Sequence, residues 1–141
     1  MSLAQDFDFS GRRILVTGAA NGLGAAIAEA FAAQGATLVL ADIEEEPLRD
    51  IAGRLAAEAH VFDQADPASV ERLAAAAGTV DVLINDAGVL VAKPLLDTSP
   101  EEVRRLVDID FVGVVRLMQL IGRGMVARRR GVIVSMGSQT A

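Results

Sequence analysis

Eight residues near the start of the chain, Thr17 to Gly24, read TGAANGLG and set three glycines at the spacing Gly-x-x-x-Gly-x-Gly. They lie between a β-branched apolar run and an alanine-rich stretch, which is where a strand turns into a helix. Glycines let the backbone approach a ligand without a Cβ in the way. The start of a helix adds N–H groups and the positive end of a dipole, so this turn is suited to hold a diphosphate. Glycine-rich turns also join strands to helices for structural reasons alone, so the flanking sequence has to decide. Leu15 and Val16 close a strand predicted over 12–17. Leu23, Ile27 and Phe31 recur at helical spacing and predict a helix over 23–34 that stops at Gly35. A second strand, over 37–41, ends at Asp42. That acid lies 24 positions beyond Gly18, near the separation of about 20 at which an acid meets the adenosine ribose of a dinucleotide. Together these pieces make a βαβ unit.

Asp42 also bears on the cofactor. A carboxylate accepts hydrogen bonds from both ribose hydroxyls of NAD and repels the extra phosphate of NADP, so NAD is expected. No Arg or Lys adjoins Asn21 or Ile43 in the sequence to receive that phosphate. The structural alternative is that Asp42 merely caps the next helix, ahead of Glu44, Glu45 and Glu46.

With 141 residues, 52% of them hydrophobic and none cysteine, the chain fits one domain over 1–141 without disulfide or thiolate-metal chemistry. A cytoplasmic, reducing setting is compatible. The net charge of −6 argues against nucleic-acid and membrane-surface partners, since nothing here could neutralise a row of phosphates. The run Arg128 to Arg130 sits where a long helix should end, and is expected to complement its dipole and stay solvated. The N-terminal residues have no signal-peptide pattern, and no run approaches 18 apolar residues, so no membrane span is expected. His60 stands alone, and no metal site is expected.

Further along, helices are predicted over 47–58, 67–77 and 99–130, with strands over 59–62, 80–85 and 132–136. Alternation with short links, and the apolar strands VDVLI and VIV, favour an α/β fold. The expected sheet is doubly wound and parallel, covered on both faces, with strand order 3-2-1-4-5. Ligands in such sheets bind beyond the carboxyl ends of the strands, where Gly18, Asp42, Asp63 and Asn85 should converge. The middle of the long helix, Phe111 to Ile121, is apolar around most of its circumference. It is therefore either fully buried or shared with another subunit, and a homo-oligomer through this helix is expected.

These residues resemble the short-chain dehydrogenases/reductases, Rossmann-fold oxidoreductases that move a hydride between NAD(P) and an alcohol or carbonyl. Thr17 to Gly24 is similar to the family's TGxxxGxG turn. The resemblance implies that Gly18, Gly22 and Gly24 line the phosphates and adenosine, with Asn21 and Leu23 near the pyrophosphate. It further implies cofactor contacts at Asp42 and Ile43 after the second strand, and at Asp63 with Gln64 beside the adenine. Asn85-Asp86-Ala87-Gly88 resembles the NNAG segment, giving Asn85, Ala87 and Gly88 cofactor contacts. Gly131 to Ser138 resembles the strand that delivers the catalytic serine, here Ser138.

Three departures stand out. Asp86 replaces the second asparagine of NNAG, and an acceptor replaces a group that both donates and accepts. Asp110 falls at the helix asparagine that helps hold a proton-relay water, and its charge would weaken or retune the relay. The family's Tyr-x-x-x-Lys pair has no counterpart, since the chain contains no tyrosine. Lys93, the only lysine, does not match that position and is expected to be solvated.

The resemblance implies hydride transfer between NAD(H) and a secondary alcohol or ketone of the polyol, sugar or 3-oxoacyl class. The alternative is a catalytically inactive NAD-binding or scaffold protein, or a truncated fragment. The last strands of the family fold are missing, so the strand over 132–136 should present an apolar edge open to pairing.

Overall fold

The computed structural model describes residues 7–137. Ser138 lies outside them. Five parallel strands, β1 (Arg13–Thr17), β2 (Thr37–Asp42), β3 (Glu58–Val61), β4 (Val82–Asn85) and β5 (Val132–Ser135), form one sheet in the order β3-β2-β1-β4-β5. This is the doubly wound, Rossmann-type order expected, with its switch point between β1 and β4. Helices α1 (Gly22–Ala33), α2 (Glu45–Leu55), α3 (Pro67–Ala77), α4 (Pro100–Val107) and α5 (Val114–Ala127) make the crossovers.

Period-two alternation divides the core between the faces. Ile14 and Val16 of β1 pack with Leu38, Leu40, Ala28 and Leu48 under α1 and α2. Leu15 points the other way and meets Val39, Val70, Leu117 and Ile121 under α3 and α5. Each fully buried aliphatic side chain contributes about 1.5–3 kcal/mol, so a strand buried on both sides stabilises the fold along its whole length.

Several boundaries differ from expectation for identifiable reasons. The helix predicted to reach Glu58 stops at Leu55, because Ala56 turns left-handed (φ 51°) and Glu58 pairs with Val39 at the start of β3. The long helix starts as predicted, with Ser99 and Glu102 forming a reciprocal capping box. It is not one α-helix, however: Asp108–Gly113 is π-helical. Gln64 Nε2 donates to the Ile109 carbonyl at 2.8 Å, the acceptor an α-helical Gly113 N–H would use. Gly113 also presses on Gln64, where a Cβ would come within 2.1 Å of its carbonyl oxygen.

Lys93 and the run Arg128 to Arg130 are exposed, as expected, and three of these cations also take partners. Lys93 pairs with Glu102 at 2.6 Å and fastens the post-β4 loop to α4. Arg128 donates to the Val80 carbonyl at 2.9 Å and Arg130 approaches Asp81 at 3.5 Å, so the basic run ties the end of α5 to the entry of β4.

Leu117, Ile121 and Met125 of α5 face the sheet, whereas Phe111 (66%), Val126 (77%) and, on α4, Val103 (46%) remain exposed. On β5, Val132 and Val134 are exposed as well. Among the described residues, no helix is long and apolar enough to cross a membrane.

Candidate functional site

The glycine turn is shaped by three separate demands. Gly18 adopts φ +68° and lies against the segment after β4, where a Cβ would sit 2.7 Å from the Ala87 nitrogen. Gly24 lets the first turn of α1 rest on the loop, since a Cβ there would stand 2.1 Å from the Gly18 oxygen. Gly22 adopts φ +56° and has nothing within 4 Å of its Cβ position, so its backbone borders open space.

Asn21, the N-cap of α1, makes no side-chain cap. Its amide instead donates to Glu44 Oε2 at 2.6 Å. A helix start that its N-cap side chain leaves uncapped, beside a glycine-lined opening, fits a diphosphate.

Asp42 ends β2 and is not the cap of α2, which is Glu44. Its Oδ2 accepts from Ala20 N–H and its Oδ1 from Glu44 N–H, both at 3.0 Å, so the glycine turn and the β2–α2 link hold the carboxylate between them. Each oxygen keeps a lone pair for a ribose hydroxyl.

Asp63 is fixed after β3 by accepting from Ala65 N–H at 2.8 Å. Gln64 is committed structurally: Nε2 donates to the Ala87 carbonyl at 2.9 Å as well as to Ile109, while Oε1 is buried without a protein partner. Thr17, fully buried at the end of β1, accepts from the N–H groups of both Asp86 and Ala87 at 3.2 Å.

Two clefts open along the carboxyl ends of the strands. The first, of about 320 Å³, is lined by Gly18, Asn21, Asp42, Ile43, Asp63 and Gln64, and shares Ala87 and Gly88 with the second. The second, of about 570 Å³, is bordered by Leu23, Asn85, Asp110 and Ser135. Gly18, Asp42 and Asp63 thus converge as expected. Asn85 falls in the neighbouring cleft, where its Nδ2 donates to Ser135 Oγ at 3.2 Å and its Oδ1 is buried without a protein partner.

Asp110, on the π-helical turn, accepts from Val89 N–H at 2.9 Å. The carboxylate therefore performs an acceptor role, and the lost amide donor is not missed at this contact. Asp86 likewise has a donor, the Gly24 N–H. Burial raises the Asp86 pKa from its ordinary value, the Gly24 hydrogen bond opposes this, and the charge of Asp42 adds to the rise.

Sequence reasoning missed Glu44 and Arg105, which also line the first cleft. Glu44 lies two residues after Asp42 and could have been flagged. Arg105 gives no signal in the sequence, because only the crossover of α4 brings it there.

A family model described as short chain dehydrogenase matches residues 12–141. The chain belongs to the short-chain dehydrogenase family. It is 38% identical to a D-threitol dehydrogenase of Mycolicibacterium smegmatis, over 99% of this chain and 58% of the relative. With a sorbitol dehydrogenase of Cereibacter sphaeroides the identity is 37%, over 92% of this chain and 53% of the relative. Among solved structures, a candidate NAD(P)-dependent gluconate 5-dehydrogenase from Beutenbergia cavernae with NADP bound at low occupancy superposes with a TM-score of 0.88. There the identity is 31%, over 94% of this chain and 56% of that one. The short-chain dehydrogenase chain described here thus spans about half the length of the curated relatives it matches.

Proposed function

We propose that this chain is the NAD-binding portion of a dehydrogenase that oxidises a secondary alcohol of the polyol class, or reduces the matching ketone. The observation that carries the reading is the Asp42 carboxylate, held by two backbone N–H groups at the mouth of the first cleft with Glu44 beside it. Two acids there favour ribose hydroxyls and oppose a phosphate on the same sugar. The superposed gluconate dehydrogenase carries NADP, so the preference for NAD rests on this chain's own side chains.

In this reading Gly18, Asn21, Gly22, Leu23 and Gly24 receive the diphosphate. Asp42 and Ile43 receive the adenosine ribose, Asp63 and Gln64 flank the adenine, and Asn85, Ala87 and Gly88 form the wall leading to the second cleft. When bound, the nicotinamide supplies the hydride acceptor. Asp110 and Ser138 are assigned to the substrate side, where Asp110 fixes the backbone of Val89. With no tyrosine in the chain, the family's Tyr and Lys roles are assigned to no residue here. The polyol class comes from the threitol and sorbitol dehydrogenases. The exposed apolar side chains around Phe111 to Ile121, Phe111 and Val112 among them, are assigned to a homo-oligomer contact.

The test is calorimetric titration with NAD and with NADP. We expect NAD to bind at least about tenfold more tightly, and Asp42→Asn to shrink that margin, since one charge-pair repulsion at a partly exposed site amounts to about 1–2 kcal/mol. Equal affinity of the native chain for both dinucleotides would defeat the NAD assignment. Substrate class is read from NADH formation across a polyol panel, with the chain extended to supply Tyr and Lys.

A further inference from the structure

Asp86 stands between the two clefts and lines both. Its backbone is pinned, because its own N–H and that of Ala87 donate to Thr17 Oγ1. Its carboxylate faces the first turn of α1: the Gly24 N–H bonds to it, and Oδ2 lies 2.9 Å from the position of a Gly24 Cβ. That N–H belongs to the helix-opening set a diphosphate would use.

The charged groups around Asp86 are mostly of its own sign. The glycine turn and the start of α1 offer no titratable side chain. The end of β2 contributes Asp42 and Glu44, the residue after Phe62 contributes Asp63, and the π-helical turn contributes Asp110. Arg105 of α4 is the cation among the residues lining these clefts. No ion pair among the described residues includes Asp86.

We propose that a dinucleotide binds this chain together with one proton, taken up from solvent by the Asp86 carboxylate, which makes Asp86 a determinant of cofactor affinity. The inference rests on the dinucleotide reading above. A carboxylate and a diphosphate facing the same amides repel each other. The neutral acid removes that repulsion and can donate a hydrogen bond to a phosphate oxygen.

The free chain already favours this change, since burial first, and then Asp42, raise the Asp86 pKa against the Gly24 hydrogen bond. A bound diphosphate raises it further. Proton uptake therefore occurs between the free-state and bound-state pKa values. Across that window affinity falls as pH rises, by about tenfold per pH unit at the steepest, and above it affinity levels off.

The experiment is calorimetric titration of the chain with NAD over a series of pH values running from acid to mildly alkaline. It is run in two buffers of different ionisation enthalpy. We expect a buffer-dependent enthalpy corresponding to net proton uptake, and weaker binding at the alkaline end. Asp86→Asn keeps an acceptor for Gly24 N–H and carries no titrating charge. It should bind without that uptake, show a flatter pH profile, and bind NAD more tightly than the native chain at the alkaline end. Carboxyl-detected NMR of the native chain reads the same event without a variant, as an upward move of the Asp86 titration when NAD is added. Binding without proton uptake, uptake undiminished in Asp86→Asn, or an Asp86 titration unmoved by NAD overturns the proposal alone. Failure of both proteins to bind NAD at every pH overturns the dinucleotide reading, and the proposal with it.

Discussion

Replacing Gly24 by alanine separates two effects that the same substitution carries in any helix. Alanine is favoured over glycine in a helix interior by about 0.8–1 kcal/mol. At Gly24, however, the new Cβ would stand 2.1 Å from the Gly18 oxygen and 2.7 Å from the Gly18 carbonyl carbon. Both are backbone atoms of a turn that is itself backed against Ala87, with the Gly18 Cβ position only 2.7 Å from Ala87 N. Neither side can yield by a rotamer change. Overpacking costs about 1–3 kcal/mol, and a rigid neighbour places this case at the upper end, so Gly24→Ala should destabilise by a net 1–2 kcal/mol or about that. For a domain of this size that lowers Tm by roughly 3–8 °C.

Gly53 provides the internal control. It lies in α2, exposed, with nothing within 4 Å of its Cβ position. Gly53→Ala should stabilise by about 0.5–1 kcal/mol. Thermal unfolding followed by circular dichroism reads both variants, and calorimetry adds the loss of NAD affinity expected for Gly24→Ala alone. A Gly24→Ala protein at least as stable as the native chain would refute the packing argument, and with it the claim that this glycine is a contact requirement.

Thr17→Val keeps shape but leaves the N–H groups of Asp86 and Ala87 without their acceptor. It should cost about 2–3 kcal/mol in urea unfolding, and a loss below about 0.5 kcal/mol would show that water substitutes freely. Glu58 has its pKa lowered chiefly by the hydrogen bond from Arg13, so its contribution is present above its unfolded pKa and is lost as pH falls through its folded one. Glu58→Gln should therefore cost less than about 1 kcal/mol at neutral pH, because the pair is half-exposed, and its stability curve should meet the native one in acid. A gap that persists or widens in acid would mean the pair is not its source. Phe111→Glu should shift sedimentation toward monomer while changing monomer stability by no more than about 0.5 kcal/mol. An oligomer indifferent to this change would place the contact elsewhere.

The glycine spacing and the β-branched runs made β1, α1 and β2 legible because each depends on neighbours within a few residues. The helix predicted over 67–77 also forms on local terms, with Asp66 accepting from the N–H groups of Ala68 and Ser69. The break in the long helix could not be read. It depends on Gln64, which is remote in sequence and takes the Ile109 carbonyl from the helical ladder. The partners of Lys93 and Arg128 were hidden for the same reason, since Glu102 and the Val80 carbonyl reach these exposed cations only after folding.

Local pattern alone determined the α/β alternation and the position of the glycine turn, because hydrophobic period and backbone freedom are properties of short segments. Tertiary structure decided what surrounds that turn. It set Glu44 beside Asp42, brought Arg105 across from α4, and aimed Asp86 at the opening amides of α1. Charges act through space, and their balance at this site exists only once the sheet has drawn four separate segments to one edge.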